Sequence, residues 1–159
     1  TGLFFCAEKV DYICMQLFFS QTHIALFEKM GILALYLFGS RAEGKTHPLS
    51  DVDIGVLFEN PEQYKHNTLE PYSALYKVFT EVLPKEYLQK RFKLKEHEFD
   101  IVFLQFAPIH LQFSATRNAK ILYEKDSEKR LSYEEYVLKK NSDLKYFRDL
   151  YYQAILERI

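Results

Sequence analysis

The chain has 159 residues, 48% of them hydrophobic and 27% charged, the balance of a soluble globular protein rather than a disordered one. A formal net charge of −1 gives no global pull toward nucleic acid or an anionic membrane, so direct nucleic-acid binding would need a local patch. Two cysteines, Cys6 and Cys14, match no metal or redox spacing, which fits two small apolar side chains in a reducing, cytoplasmic setting.

The length suits one domain, residues 1–159, with N-terminal helices over 1–30, a core over 33–125 and a C-terminal helix over 132–159. Apolar residues at Phe4/Phe5, Val10, Ile13/Cys14 and Leu17/Phe18 recur at helical spacing and predict a helix over 4–18. Glu8, Lys9 and Asp11 interrupt that stretch, so it reads as neither a signal peptide nor a membrane span. A shorter helix over 23–30 stops at Gly31. Residues 33–38 and 52–58 are short apolar runs of strand type. Asn60-Pro61 marks a loop over 59–68, and helical spacing returns at Leu75, Val78, Phe79 and Val82 until Pro84. A third strand covers 98–104, and a helix follows Pro108. Ser132-Tyr133-Glu134-Glu135 reads as a capping box opening a long helix. Its apolar seam is Tyr136, Val137, Leu144, Phe147, Tyr151 and Ile155, with a kink at Asn141-Ser142-Asp143. Such a seam is core or, with Tyr146, Tyr151 and Tyr152, a partner surface. The order is α+β, a small sheet with helices around it.

The chemistry concentrates in residues 35–58. Asp51 and Asp53 are two residues apart on a strand, so they share a face about 6–7 Å apart at the backbone while Val52 and Ile54 face the core. Two ionised carboxylates held together repel, and a cation between them removes the cost. Oxygen ligands of this kind select Mg²⁺ or Mn²⁺, and two such ions serve in-line phosphoryl transfer. Asp100, in the apolar run Phe99–Phe103, is either a strand-entry residue or the third carboxylate, able to take the proton of an attacking hydroxyl. Gly39-Ser40 follows the first strand; a glycine admits close approach of a phosphate, and Ser40 adds donors. Arg41 would open a helix whose N-terminus favours anions. The basic run Lys90–Lys95, His47 and His97 read as exposed connector residues.

The string Phe38-Gly39-Ser40-Arg41-Ala42, Gly44 and Ser50-Asp51-Val52-Asp53 resembles the signature of the nucleotidyltransferase superfamily related to DNA polymerase β. It looks like the minimal nucleotidyltransferases, the antitoxin half of HEPN–MNT toxin–antitoxin pairs. That resemblance implies a small mixed sheet flanked by helices and a Mg²⁺- or Mn²⁺-dependent transfer of AMP from ATP to a hydroxyl. The hydroxyl it implies is a tyrosine on a HEPN-type ribonuclease toxin. Carried over, Gly39 and Ser40 hold phosphates and Arg41 touches the triphosphate. Asp51, Asp53 and Asp100 hold the metals, and Asp100 also acts as base. Two rivals stand beside this reading: an aminoglycoside-type small-molecule nucleotidyltransferase, and an antitoxin that neutralises by binding alone. A neighbouring frame encoding a small helical protein with Arg-x(4–6)-His favours the first reading.

Overall fold

In the computed structural model, which describes residues 17–39, 52–83 and 99–157, the two apolar runs are the inner strands of one sheet. β1 (Ile32–Phe38) pairs antiparallel with β2 (Val52–Phe58) on one side and with β4 (Lys120–Glu124) on the other. β3 (Phe99–Phe103) runs parallel to β2, giving the order β3-β2-β1-β4. A mixed sheet with helices on both faces meets the α+β expectation.

Both faces of the inner strands are covered, which is why their sequences are continuously apolar instead of alternating. On one face, Leu35, Leu37, Ile54 and Val56 pack with Phe27 of α1 (Gln21–Lys29) and Leu75, Val78 and Phe79 of α2 (Leu69–Val82). On the other, Tyr36, Phe38 and Leu57 pack with Leu104 and with Ala115 of α3 (Ile109–Arg117). Burying a Phe or Leu completely, as at Phe27, Phe79 and Leu75, contributes about 2–3 kcal/mol each.

Local chemistry sets the helix ends. Ser20 caps α1 by accepting from the His23 amide, and the His23 ring accepts from the Ser20 amide, so histidine fills the position usually held by Glu or Gln. Gly31 (φ +66°) ends α1 as expected. The loop expected over 59–68 contains a short 3₁₀ turn, Pro61–Tyr64, whose Gln63 and Tyr64 side chains donate to the Met30 carbonyl and close that helix end. Helix α2 ends at Val82. Leu83 is extended (ψ 136°), as a residue before proline should be.

Three expectations need correction. Residues 17 and 18 lie outside any helix, although Leu17 and Phe19 pack on the core; residues 4–16 of that expected helix fall outside the described residues. The last helix, α4 (Ser127–Leu156), opens five residues before Ser132. Asp126 is its cap, accepting from the Lys129 amide at 3.1 Å, so Ser132 is an interior residue. The helix continues through Asn141–Asp143, with Ser142 bonding back to the Leu138 carbonyl. Finally, only Val137 of the expected seam is buried, and the rest stands in solvent. Strand β4 has no counterpart in the sequence reading. Among the described residues no helix is long and apolar enough to cross a membrane.

Candidate active site

The carboxylate end of β2 is built by register. Val52 and Ile54 are fully buried on the α1/α2 face, so Asp53 points to the opposite face, as the strand alternation predicts. Parallel pairing then sets Asp53 directly beside Asp100, with Val52 opposite Phe99 and Ile54 opposite Ile101. Neighbouring strands lie about 4.8 Å apart, so two carboxylates on one face stand within reach of a single ion. Asp53 is half-buried and Asp100 exposed, which leaves the pair open on the solvent side. Asp100 is the second residue of the edge strand β3 and is aligned with Asp53.

On the other flank Asp53 pairs with Phe38, the last residue of β1, and Gly39 follows with φ +82°. A Cβ built on Gly39 would collide with the Asp53 carboxylate Oδ2 and sit 3.3 Å from its Cγ. Glycine here does two things: it takes a left-handed backbone, and it leaves the space into which the Asp53 carboxylate leans. The sequence reading gave Gly39 only the phosphate role. The seat for Asp53 was not visible, because it depends on the β1–β2 register.

Ser40, Arg41, Asp51, His47, the basic run Lys90–Lys95 and His97 lie outside the described residues. Among the described residues no three His, Cys, Asp or Glu side chains converge as a metal site; of the expected ligands they include Asp53 and Asp100. Two in-register carboxylates of hard oxygen character fit a divalent cation.

The floor beneath the site is held by specific contacts. Gly55, two residues along from Asp53, lets the Leu104 side chain lie against the sheet: a Cβ there would meet its methyls at 3.2 Å. Where β3 ends, the Gln105 side chain continues the ladder, accepting from the Phe58 amide (2.9 Å) and donating to its carbonyl (2.7 Å). Tyr36 donates to Glu134 of α4 (3.0 Å), and Arg130 donates to both Glu134 (2.7 Å) and Glu124 (2.6 Å). Burial, reinforced by the Glu134 charge, pushes the Tyr36 hydroxyl far above the usual phenol range. Burial works against the Arg130 charge, but its bonds to Glu124 and Glu134 outweigh that and keep it protonated. This network ties α4 to β1 and β4.

The model of the polymerase beta, nucleotidyltransferase family matches residues 21–128. A protein adenylyltransferase MntA of Aphanizomenon flos-aquae (strain 2012/KM1/D3) is 30% identical over 111 residues, spanning 70% of this chain and 69% of that protein. Among solved structures, a chain of a toxin–antitoxin crystallised with AMP-PNP superposes with a TM-score of 0.57 at 19% identity, over 84% of this chain and 94% of that one. A chain of the complex between MNT antitoxin and tri-AMPylated HEPN toxin of Shewanella oneidensis gives 0.53 at 17% identity, over 84% and 92%. At those identities the structural likeness speaks for the fold.

Proposed function

This chain belongs to the polymerase beta, nucleotidyltransferase family, and we propose that it moves AMP from ATP to a tyrosine hydroxyl of a HEPN-type ribonuclease, silencing that toxin. The proposal covers residues 1–159 as one domain, acting in the cytoplasm within a hetero-oligomer with the toxin. The observation that carries it is the in-register Asp53–Asp100 pair beside Gly39, the only residue type that leaves room for the Asp53 carboxylate. The protein adenylyltransferase MntA, a relative at 30% identity, supports the choice of AMP and of a protein acceptor.

Asp51, Asp53 and Asp100 would hold Mg²⁺ or Mn²⁺, which supplies charge neutralisation on the phosphates when bound. Gly39 and Ser40, at the end of β1, would position the β/γ-phosphates, with Arg41 on the triphosphate. Asp100 is the exposed member of the pair and accepts the proton of the incoming hydroxyl. Transfer forms the bond from that oxygen to the α-phosphorus and releases pyrophosphate.

The test uses the neighbouring reading frame's small helical protein carrying Arg-x(4–6)-His, incubated with this chain, ATP and Mg²⁺. Intact mass should rise by about 329 Da per AMP, the chemical mass of the transferred residue in a reaction driven by positioning and charge. Asp100→Ala should abolish the gain, and so should EDTA. Neutralisation of the toxin at unchanged mass, equally by Asp100→Ala, would establish a binding-only antitoxin instead.

A further inference from the structure

The two edges of the sheet are finished differently. Strand β4 begins with Lys120 and ends with Glu124, both exposed, and charges along an edge discourage further pairing. The other edge, β3, reads Phe-Asp-Ile-Val-Phe, and its single charge is Asp100. Among the described residues no strand pairs with β3 on its outer side, so this edge presents a row of backbone N–H and C=O groups. Ile101 and Phe103 pack toward α1 and α2 and Val102 toward the opposite cluster, yet all three are only half-buried. Side chains that alternate in direction share an open flank only along the edge of their strand.

A hollow runs along that flank. Ile101, Val102 and Phe103 line it in succession with Phe106, and Leu69 and Tyr72 of α2 wall it on the α1/α2 side. Asp100 precedes these residues and faces the other way, with Asp53. The pleat would sort the side chains of any strand added here into two sets. One set enters the apolar hollow, and the other stands on the carboxylate face. The residue directly opposite Asp100 shares its face, just as Asp100 shares the face of Asp53.

We propose that the acceptor presents its tyrosine in an extended segment that adds antiparallel to the free edge of β3, with the tyrosine opposite Asp100. Apolar residues one and three positions before that tyrosine then fall beside Ile101 and Phe103, in the hollow. The inference rests on the protein-adenylylation reading and names the form of substrate that the site takes. Antiparallel pairing is the stronger kind per residue. Main-chain bonds hold such a segment whatever its sequence, and the alternate side chains supply the selection. The phenol oxygen bonds to the α-phosphorus, its proton passes to Asp100, and pyrophosphate leaves. A second copy laid on this edge would instead cover the open side of Asp100 and block transfer.

The experiment uses two synthetic peptides of one composition. The first, Lys-Thr-Val-Thr-Val-Tyr-Thr-Lys, has apolar residues one and three positions before the tyrosine; the second, Lys-Val-Thr-Val-Thr-Tyr-Thr-Lys, has them two and four before. Binding is read without nucleotide, as slowed amide exchange at residues 100–103, and transfer by mass gain with ATP and Mn²⁺. The first peptide should slow that exchange and, below saturation, take up AMP roughly 100-fold faster than the second, since only it buries both valines. Leu69→Asp should erase the preference. Position 69 is 72% exposed in the first turn of α2, where an acid suits the helix, so the variant's thermal shift with ATP and Mn²⁺ should equal that of the wild type. Three results overturn the proposal: no added protection at β3, a preference that survives Leu69→Asp, or equal rates for the two peptides where the neighbouring helical protein is modified. A chain that sediments alone as a dimer, and loses protection at β3 on dilution, also overturns it, in favour of a second copy. A peptide that protects β3 while neither it nor the neighbouring protein gains mass overturns the adenylylation reading alone, since strand addition is read without nucleotide.

Discussion

Gly39→Ala separates the seat of Asp53 from any contact glycine makes with nucleotide. The added methyl faces two costs. An L-residue held at φ +82° is strained by about 1–2 kcal/mol. The methyl also occupies the space of the Asp53 carboxylate, whose Cγ lies 3.3 Å from the built Cβ, so the carboxylate must leave its place beside Gly39. Strain alone should lower the melting temperature by roughly 2–8 °C for a chain of this size. An ångström-scale displacement of a reacting group costs about 100-fold in rate, so kcat for AMP transfer should fall by that factor. The assay is a double-mutant cycle with Asp53→Ala, read by thermal melting and by the initial rate of mass gain. Without the carboxylate the nearest atom of residue 53 is its Cβ at 3.6 Å, an ordinary contact, so the second step of the cycle should show chiefly the backbone strain. Transfer by Gly39→Ala within twofold of wild type, or an equal melting loss in both backgrounds, would refute the seat.

Two further outcomes follow from contacts away from the carboxylates. Tyr36→Phe removes one hydrogen bond while Arg130 still holds Glu134, so it should cost about 1 kcal/mol in urea melts and leave AMP transfer unchanged; a loss of transfer would bring α4 into the catalytic machinery. Chiefly the hydrogen bond from Lys125 (2.8 Å) holds the Glu59 carboxyl below its ordinary 4.5. A depressed carboxyl contributes stability above its unfolded pKa and loses it as pH falls through the folded one. The melting advantage of wild type over Glu59→Gln at neutral pH should therefore vanish on acidification below 4.5 and shrink with added salt; an advantage that persists in acid would show that the charge is not its source.

How much of this was legible in the sequence depends on the range of the interaction. The strand 52–58 and the stop at Gly31 were readable because apolar runs and a glycine cap are local signals. Asp100 was readable as an anomaly, a charge in an apolar strand, but its alignment with Asp53 is a matter of register between strands distant in sequence. Strand β4 gave no clear pattern: it is an edge strand whose Lys120, Ile121 and Glu124 are exposed, and only its pairing with β1 makes it a strand. The α4 start was misplaced because Ser132–Glu135 has the spacing of a cap, whereas Asp126 already accepts from the Lys129 amide nearly two turns earlier. An apolar seam looks the same in sequence whether it meets a core or a partner. The exposure of Leu144, Phe147 and Tyr151 is a fact of tertiary structure alone.

The parallel pairing of β2 with β3 also bears on how the protein comes to be active. Strands β1 and β2 are near in sequence, whereas Asp53 and Asp100 are separated by nearly fifty residues of intervening chain, and the β1–β4 partners by more than eighty. Closing a loop of that length costs roughly 3 kcal/mol of chain entropy before any contact repays it. The β2–β3 contact is therefore expected to form after the local β1–β2 hairpin. Until it forms the two carboxylates are not neighbours, and a partly folded chain has no site to misuse. If the pair works as proposed, AMP transfer depends on the completion of folding itself, and a newly made molecule consumes ATP only once the pair is assembled.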